Sequence, residues 1–162
     1  MRWNAETRYR MLLEINNAVV TRTNREDLFQ ALAKELRKHF AFDRMAINLY
    51  DAKSQSLSYF AAADGIQPGG GLTRHSRPLA DGAIARMVVQ SRQPTIIDDL
   101  RRYTDLSSIG DMVESGLNAT MAFPMLVRNR ILGSIHFSFR NAPGHISELT
   151  EVLTDVSRQV AI

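Results

Sequence analysis

Residues 122–140, AFPMLVRNRILGSIHFSFR, alternate large apolar side chains with small or polar ones, and this alternation constrains the fold more than any other feature. A period of two is typical of β-strands, whose successive side chains point to opposite faces of a sheet. With a three-residue loop at 128–130, a hairpin over about 119–140 would place Val127 opposite Ile131 and separate the two kinds of side chain. One face would hold Met121, Phe123, Met125, Val127, Ile131, Ile135, Phe137 and Phe139. The other would hold Thr120, Ala122, Pro124, Leu126, Leu132, Ser134, His136 and Ser138, whereas a two-residue loop would mix the sets.

The two predicted faces require different surroundings. We expect the apolar face to pack on helices. The other face is too polar for an ordinary core and too apolar for open water. Residues 64–78, with four glycines and two prolines, and the short helices predicted nearby could cover it. Such an arrangement favours a cavity for a small ligand.

The rest of the chain predicts helices around this sheet. Apolar residues recur at helical spacing over 6–20 and 146–162, and a period of two returns in a second hairpin, 44–51 with 56–63. Strand pairs with short turns and flanking helices predict an α+β domain with an antiparallel sheet. The final helix stops on an apolar VAI, so we expect one domain, residues 1–162, excised from a larger protein.

Composition excludes several classes of function. The chain has no cysteine, which excludes disulfides, thiolate nucleophiles and Cys-ligated zinc. Its net charge of +3 is dispersed along the sequence, so we expect no direct contact with nucleic acid. No apolar run approaches the roughly 20 residues that cross a bilayer, and no secretion signal is evident, which predicts a cytoplasmic protein without membrane contact. No phosphate loop, HExxH motif or nucleophile–base pair supports an enzyme.

Three segments in the expected order resemble the GAF domain family. SGLNATMAFPMLVRNRILGSIHFSF resembles its closing hairpin, RPLADGAIARMVVQSRQPTIIDDL is similar to the segment before it, and ISELTEVLTDVSRQVAI resembles its final helix. The resemblance runs from about residue 8 to the end. It implies a PAS-related fold with a six-stranded antiparallel sheet, terminal helices on one face and a covered ligand pocket on the other. Residues 12–50 look most like the GAF domains that precede the ATPase of sigma-54-dependent activators, of the formate hydrogenlyase activator type.

The resemblance implies a regulatory domain that binds a small-molecule effector and relays the signal through its terminal helices. The expected partners are a second copy in a homodimer and an attached output domain. Two alternatives stay open: a GAF sensor of a histidine kinase or nucleotide cyclase, and a ligand-free dimerisation module. The cyclic-nucleotide pattern Asn-Lys…Phe…Asp-Glu is replaced here by Arg140-Asn141…Ile146-Ser147-Glu148, and the bilin-attaching and sulfoxide-reducing branches use cysteines that this chain lacks.

The ligand-binding residues are expected on the covered face and its flanks. They are Phe60, Arg86, Asp98, Asp99, Thr120, Ser134, His136 and Ser138. His136 is more often a hydrogen-bonded sheet residue than a ligand contact. Arg86 could bind a carboxylate or lie in solvent, and Arg74, His75 and Arg77 have the same two explanations.

The cofactor is unknown from sequence, and we predict no metal site. Asp98, Asp99, Asp105 and Asp111 could join His136 around non-haem iron. Their spacing is not that of a metal site, however, and helix capping by Asp99 or Asp105, with the others solvated, is the favoured explanation.

Overall fold

The computed structural model describes residues 4–20, 25–61, 76–106 and 109–161, apart from the side chains of 18–20, 25–26, 60–61 and 76. The helices are α1 (Ala5–Val20), α2 (Arg25–Arg37), α3 (Ala83–Ser91), α4 (Ile109–Glu114) and α5 (Ile146–Val160). The strands are β1 (Arg44–Asp51), β2 (Ser56–Ala61), β3 (Ser76–Pro78), β4 (Thr95–Ile97), β5 (Ala119–Val127) and β6 (Arg130–Phe139). Short 3-10 helices cover Leu79–Asp81 and Leu100–Tyr103. None of the helices in these ranges is long and apolar enough to cross a bilayer.

The six strands form one antiparallel sheet in the order β3-β2-β1-β6-β5-β4, which confirms the predicted α+β class. The two hairpins predicted from the alternation, β1–β2 and β5–β6, join through the β1–β6 pair at the centre. β4 lies at one edge, the position that Pro94 favours. β3 lies at the other edge, inside the segment 64–78 that the sequence predicted as a long connection.

The turn of the β5–β6 hairpin differs from the predicted three-residue loop. Val127 is paired with Arg130, so only Arg128 and Asn129 form the turn. Arg128 takes a left-handed backbone with φ of 57°. A register set by this turn alone would have mixed apolar and polar side chains on both faces.

A β-bulge restores the predicted faces. Leu126 is paired with Ile131 but Met125 with Gly133, so Leu132 is the extra residue on β6. From Met125 onward the pairing is the one that the alternation predicted. The bulge also places two residues on the faces opposite to those predicted. Leu132 packs on the apolar face that contacts the helices, and Ile131 packs on the other face.

The apolar face of the sheet packs on α1, α2 and α5, as the sequence predicted. This helix-side core includes Met11, Ile15, Leu32, Leu36, Met45, Ile47, Met121, Phe123, Ile135, Phe137, Leu153 and Val156. Phe123 and Phe137 are fully buried with ring centroids 6.3 Å apart. Burial of this apolar surface is the main stabilising contribution that the structure shows.

The terminal helices run parallel to each other. Arg8 Nη2 donates to Asp155 Oδ2 at 2.9 Å, and Gln159 Nε2 donates to the Leu12 carbonyl at 2.7 Å. Both partners advance by four residues between the two contacts, which requires a parallel arrangement. The chain therefore starts α1 and finishes α5 at opposite ends of this helix pair.

Candidate functional site

Four of the predicted site residues lie together on the sheet face away from the terminal helices. Thr120, Ser134, His136 and Ser138 are at most 8% exposed, and they alternate with residues of the helix-side core. They are therefore neither beneath the terminal helices nor open to water. The two-sided sheet that the sequence predicted is present.

These four side chains are hydrogen-bonded in two pairs. Thr120 Oγ1 donates to the Phe137 carbonyl at 3.2 Å and lies 3.0 Å from Ser138 Oγ, so the Ser138 hydroxyl donates to Thr120. Ser134 Oγ lies 2.7 Å from His136 Nε2. Buried polar groups are expected to have such partners.

A small apolar cluster adjoins the polar side chains on this face. Ala122 packs with Ile84 and Val88 of α3 and with Leu100 and Ile109 of the following segments. The predicted short helices thus cover the β5 side of the face. Ala122 is fully buried there and separates Thr120 from the turn end of the hairpin.

Strands β1, β2 and β3 add four polar residues, of which only Arg77 was considered from the sequence, as a possible carboxylate contact or a solvent-exposed residue. Arg44 and Asn48 lie on β1 opposite Ser138 and Ser134, Tyr59 lies on β2 opposite Asn48, and Arg77 lies on β3. Together with Ser134 and His136, these residues are the polar cluster.

Arg44 is held against Tyr59. Its Nη2 donates to the Tyr59 hydroxyl, and its guanidinium carbon lies 5.5 Å from the Tyr59 ring centroid. The two residues are 6% and 7% exposed. This contact places a buried positive charge on the same face as His136.

Asn48 connects Arg77 to His136. Arg77 Nη2 lies 3.4 Å from Asn48 Oδ1, and because a guanidinium only donates, this contact orients the amide. Asn48 Nδ2 then faces His136 Nε2 at 3.4 Å and donates to it. The Nε2 atom is therefore an acceptor, which assigns the proton of the neutral imidazole to Nδ1.

The surroundings keep His136 neutral. Burial, together with the smaller effects of the positive charges of Arg44 and Arg77, lowers its pKa from the ordinary 6.5 to about 3. Burial also lowers the pKa of Arg77, and the neighbouring Arg44 adds to that effect while Tyr59 and Asp81 oppose it. The face thus carries guanidinium charge beside an uncharged imidazole.

Asp98 and Asp99 do not join this cluster. Asp98 is exposed, whereas Asp99 caps the 3-10 helix Leu100–Tyr103 by accepting from the Arg101 backbone N–H at 3.1 Å. Asp99 also accepts from Arg101 Nε at 2.9 Å, which lowers the pKa of Asp99. The capping explanation predicted for this acidic segment applies to Asp99.

Arg86 and Phe60 also lie outside the polar cluster. Arg86 is half-buried on α3, where its Nη1 lies 3.4 Å from the Ala80 carbonyl. The backbone of Phe60 is paired with Ile47, a residue of the helix-side core, while Tyr59 is paired with Asn48. The Phe60 side chain is outside the described residues, and Tyr59 occupies the β2 position on the site face.

Among the residues that the structure describes, one group of three side chains lies close enough together that it could hold a metal ion. Ligand atoms of Glu14, Glu35 and His39 lie within 4.8 Å of one another. His39 Nε2 is 3.0 Å from Glu14 Oε2, and Lys38 Nζ is 2.9 Å from Glu35 Oε1. These contacts connect α1 with α2 and its following turn. The carboxylates considered for iron form no such group with His136 in the described part of the chain.

An open cleft of about 550 Å³ lies near the start of α5. Its lining includes Phe40, Phe42, Phe139 and Leu149 from the helix-side core, with Asp43 and the exposed His145. Asp43 accepts from the Arg140 backbone N–H at 2.7 Å. The cleft therefore lacks the convergent buried polar groups that the polar cluster has.

A GAF domain family model matches residues 24–162 of the chain. No curated protein shows significant sequence similarity to it. Solved structures do match over nearly the whole length, at identities low enough that they establish the fold alone.

Three of these solved structures illustrate the similarity in fold. The GAF domain from Acinetobacter phosphoenolpyruvate-protein phosphotransferase has 15% identity and a TM-score of 0.74, with 99% of this chain and 92% of that chain covered. The free methionine-R-sulfoxide reductase from Neisseria meningitidis, in complex with its substrate, has 15% identity and a TM-score of 0.75, covering 99% and 90%. The GAF domain of A. aeolicus nlh2 in an inactive state has 14% identity and a TM-score of 0.72, covering 95% and 93%.

Proposed function

The chain belongs to the GAF domain family, and from that premise we propose that it is the small-molecule-sensing regulatory domain of a bacterial signalling protein. The observation that supports this best is the buried polar cluster on the sheet face opposite the terminal helices. A hydrophobic core would be more stable without these groups, so their burial favours a binding role.

The sheet offers a direct route from the site to the terminal helices. Neighbouring residues of β1 and β6 face opposite ways: Asn48 faces the site while Ile47 packs on the helices, and His136 and Phe137 do the same. A ligand that favours one strand arrangement would therefore shift the packing of α1 and α5. The parallel helices would carry that change along the axis of the pair.

The same proposal includes an attached output domain and a homodimer. The resemblance of residues 12–50 favours a sigma-54-dependent activator, and a histidine kinase or nucleotide cyclase is the alternative; identifying the attached output domain would distinguish them. On α1, Tyr9 is 67% and Leu13 46% exposed one turn apart, which favours contact with a second copy. A cytoplasmic location stays a prediction from the sequence.

We expect the domain to regulate rather than catalyse. One structural neighbour is a methionine sulfoxide reductase, but thiol chemistry requires cysteine and this chain has none. The polar cluster supplies a neutral imidazole and guanidinium donors, which suit binding and orientation.

A thermal-shift screen with metabolites and metal ions tests the sensor proposal. A ligand that binds only the folded state raises the melting temperature. We expect at least one compound to do so with the wild type and with His145→Asn, a control at an exposed residue whose left-handed backbone asparagine tolerates. The same compound should have a much smaller effect on His136→Phe, which removes the imidazole from the site. Equal shifts in both variants would place binding elsewhere, and no shift from any compound would contradict the proposal.

A ligand-free dimerisation module is the second candidate. It is favoured by the hydrogen bonds that join Thr120 to Ser138 and Ser134 to His136, because these groups are satisfied without a ligand. It predicts a dimer that forms normally in a protein whose melting temperature no small molecule changes.

A further inference from the structure

Two guanidinium groups of the polar cluster retain donors without acceptors. Within the described residues, the Nε atoms of Arg44 and Arg77 are buried and have no hydrogen-bond partner. The side-chain contacts that the two groups do make go to neutral oxygens, the Tyr59 hydroxyl and Asn48 Oδ1. No carboxylate in the described part of the chain forms an ion pair with either residue.

The arrangement of these two charges is unfavourable when no negative charge accompanies them. Arg44 is 6% exposed and Arg77 is half-buried, so both charges have lost much of their hydration. Buried charges are normally paired, because desolvation otherwise costs several kcal/mol per ion. The two positive charges also repel each other.

The acidic residues Asp81, Asp98 and Asp99 on this side of the domain are not part of the polar cluster. Asp99 is bound by Arg101, with Arg102 Nε at 3.8 Å, and Asp98 is exposed. Asp81, at the end of the 3-10 helix Leu79–Asp81, is exposed, and its negative charge opposes the larger lowering of the Arg77 pKa by burial. Among the described residues, the negative charge near Arg77 therefore offsets only part of the effect of its burial.

We propose that the polar cluster binds a small oxyanion, a carboxylate or a phosphate group, with Arg44 and Arg77 as its cationic contacts. The inference rests on the proposed sensor function and specifies the chemistry of the effector. Tyr59 positions the Arg44 guanidinium, and Asn48 positions that of Arg77. The free Nε–H groups then donate charge-assisted hydrogen bonds to the anion.

The experiment follows the arginine Nε–H signals by NMR in protein labelled with ¹⁵N-arginine. Acetate, formate, pyruvate and inorganic phosphate are titrated separately, and sodium chloride at equal ionic strength is the control for screening. Calorimetry on the same samples gives the Kd. We expect two Nε–H signals, assigned by their loss in Arg44→Gln and Arg77→Gln, to move with at least one oxyanion and to stay in place with chloride. The carboxylate and phosphate titrations distinguish the two sources of oxyanion.

Matched variants localise the effect. Loss of one charge-assisted contact should weaken binding about ten- to a hundredfold in Arg77→Gln. Arg130→Gln removes the same charge from an exposed position at the hairpin turn and should leave the Kd unchanged. Because Arg44 is deeply buried, Arg44→Lys is added, which keeps the charge and removes the guanidinium fork. We expect it to weaken binding as well.

Three results would overturn the inference: no oxyanion moves either signal, the Kd is the same in Arg77→Gln as in the wild type, or Arg130→Gln weakens binding as much as Arg77→Gln. Binding of an uncharged compound from the thermal-shift screen, without binding of any oxyanion, would refute the anion site and leave the sensor proposal standing. Absence of binding by every compound tested would refute both.

Discussion

Burial of a neutral imidazole beside two arginines makes the stability of the domain depend on pH. The unfolded chain protonates His136 near pH 6.5, whereas the folded chain protonates it only near pH 3. Between these values the unfolded state binds more protons, so the free energy of unfolding falls as the pH falls, by up to about 1.4 kcal/mol per pH unit. Above about pH 6.5 this contribution to the slope disappears.

His136→Gln should remove this part of the pH dependence, since glutamine offers a polar group near the Nε2 position without titrating. Urea unfolding between pH 7 and pH 5.5 measures it, a window above most carboxylate titrations. His145→Asn, at an exposed histidine, should keep the wild-type slope. An unchanged slope in His136→Gln would show that His136 is protonated normally in the folded domain.

At the level of strands and turns, the β-bulge in β6 decides which side chains face the site. Gly133 follows the extra residue Leu132 with φ of 149°, and a Cβ there would lie 1.9 Å from the Asn48 carbonyl oxygen. Only glycine lets β6 approach β1 this closely.

Gly133→Ala should lower the free energy of unfolding by about 2–4 kcal/mol, because β6 must move away from Asn48. Two other glycines separate the effect of the backbone conformation from the effect of the close contact with Asn48. Gly116→Ala, with φ of 91° but open space, should cost about 1–2 kcal/mol for the backbone alone. Gly144→Ala, with open space, should change the value by less than about 0.5 kcal/mol. Equal losses at Gly133 and Gly116 would contradict the close approach.

The sequence predicted the two hairpins and the two faces because their alternation follows directly from the geometry of a strand. The predicted turn length was wrong. A two-residue turn followed by a bulge at Leu132 gives the same pairing from Met125 onward as a three-residue loop, so the alternation could not distinguish the two. Asn48 was recognisable, since it alternates with Met45 and Ile47. Arg77 was considered only as one of three basic residues that could bind a carboxylate or lie in solvent, because a three-residue edge strand after a glycine-rich segment has no periodicity that places its side chains on a face.

A different limit applies to Phe60, which was predicted as a ligand-binding residue without considering its neighbour Tyr59. A strand pattern fixes which residues share a face, but pairing with β1 fixes which face that is, and here Tyr59 is paired with Asn48. Asp99 shows a third limit of sequence-based prediction, because an aspartate can cap a helix or contact a ligand and its residue type does not distinguish the two roles. Only the residues that surround such an aspartate in the structure show which of the two roles it has.

In the whole molecule, one sheet separates the face that carries the polar cluster from the pair of terminal helices. The exposed Tyr9 and Leu13 predict that the domain is dimeric through α1. The double variant Tyr9→Ser with Leu13→Ser should be monomeric in native mass spectrometry and should keep its bound effector. A wild type that is monomeric at every concentration would refute the dimer without affecting the binding face.

Native mass spectrometry is the most direct test of whether the polar cluster binds a small molecule. The domain is purified without chelators, incubated with a deproteinised small-molecule extract of bacterial cells and exchanged into volatile buffer. We expect an added small mass on the wild type and on Arg130→Gln that is absent from Arg77→Gln. Spectra in which all three proteins show only the mass of the bare chain would contradict it.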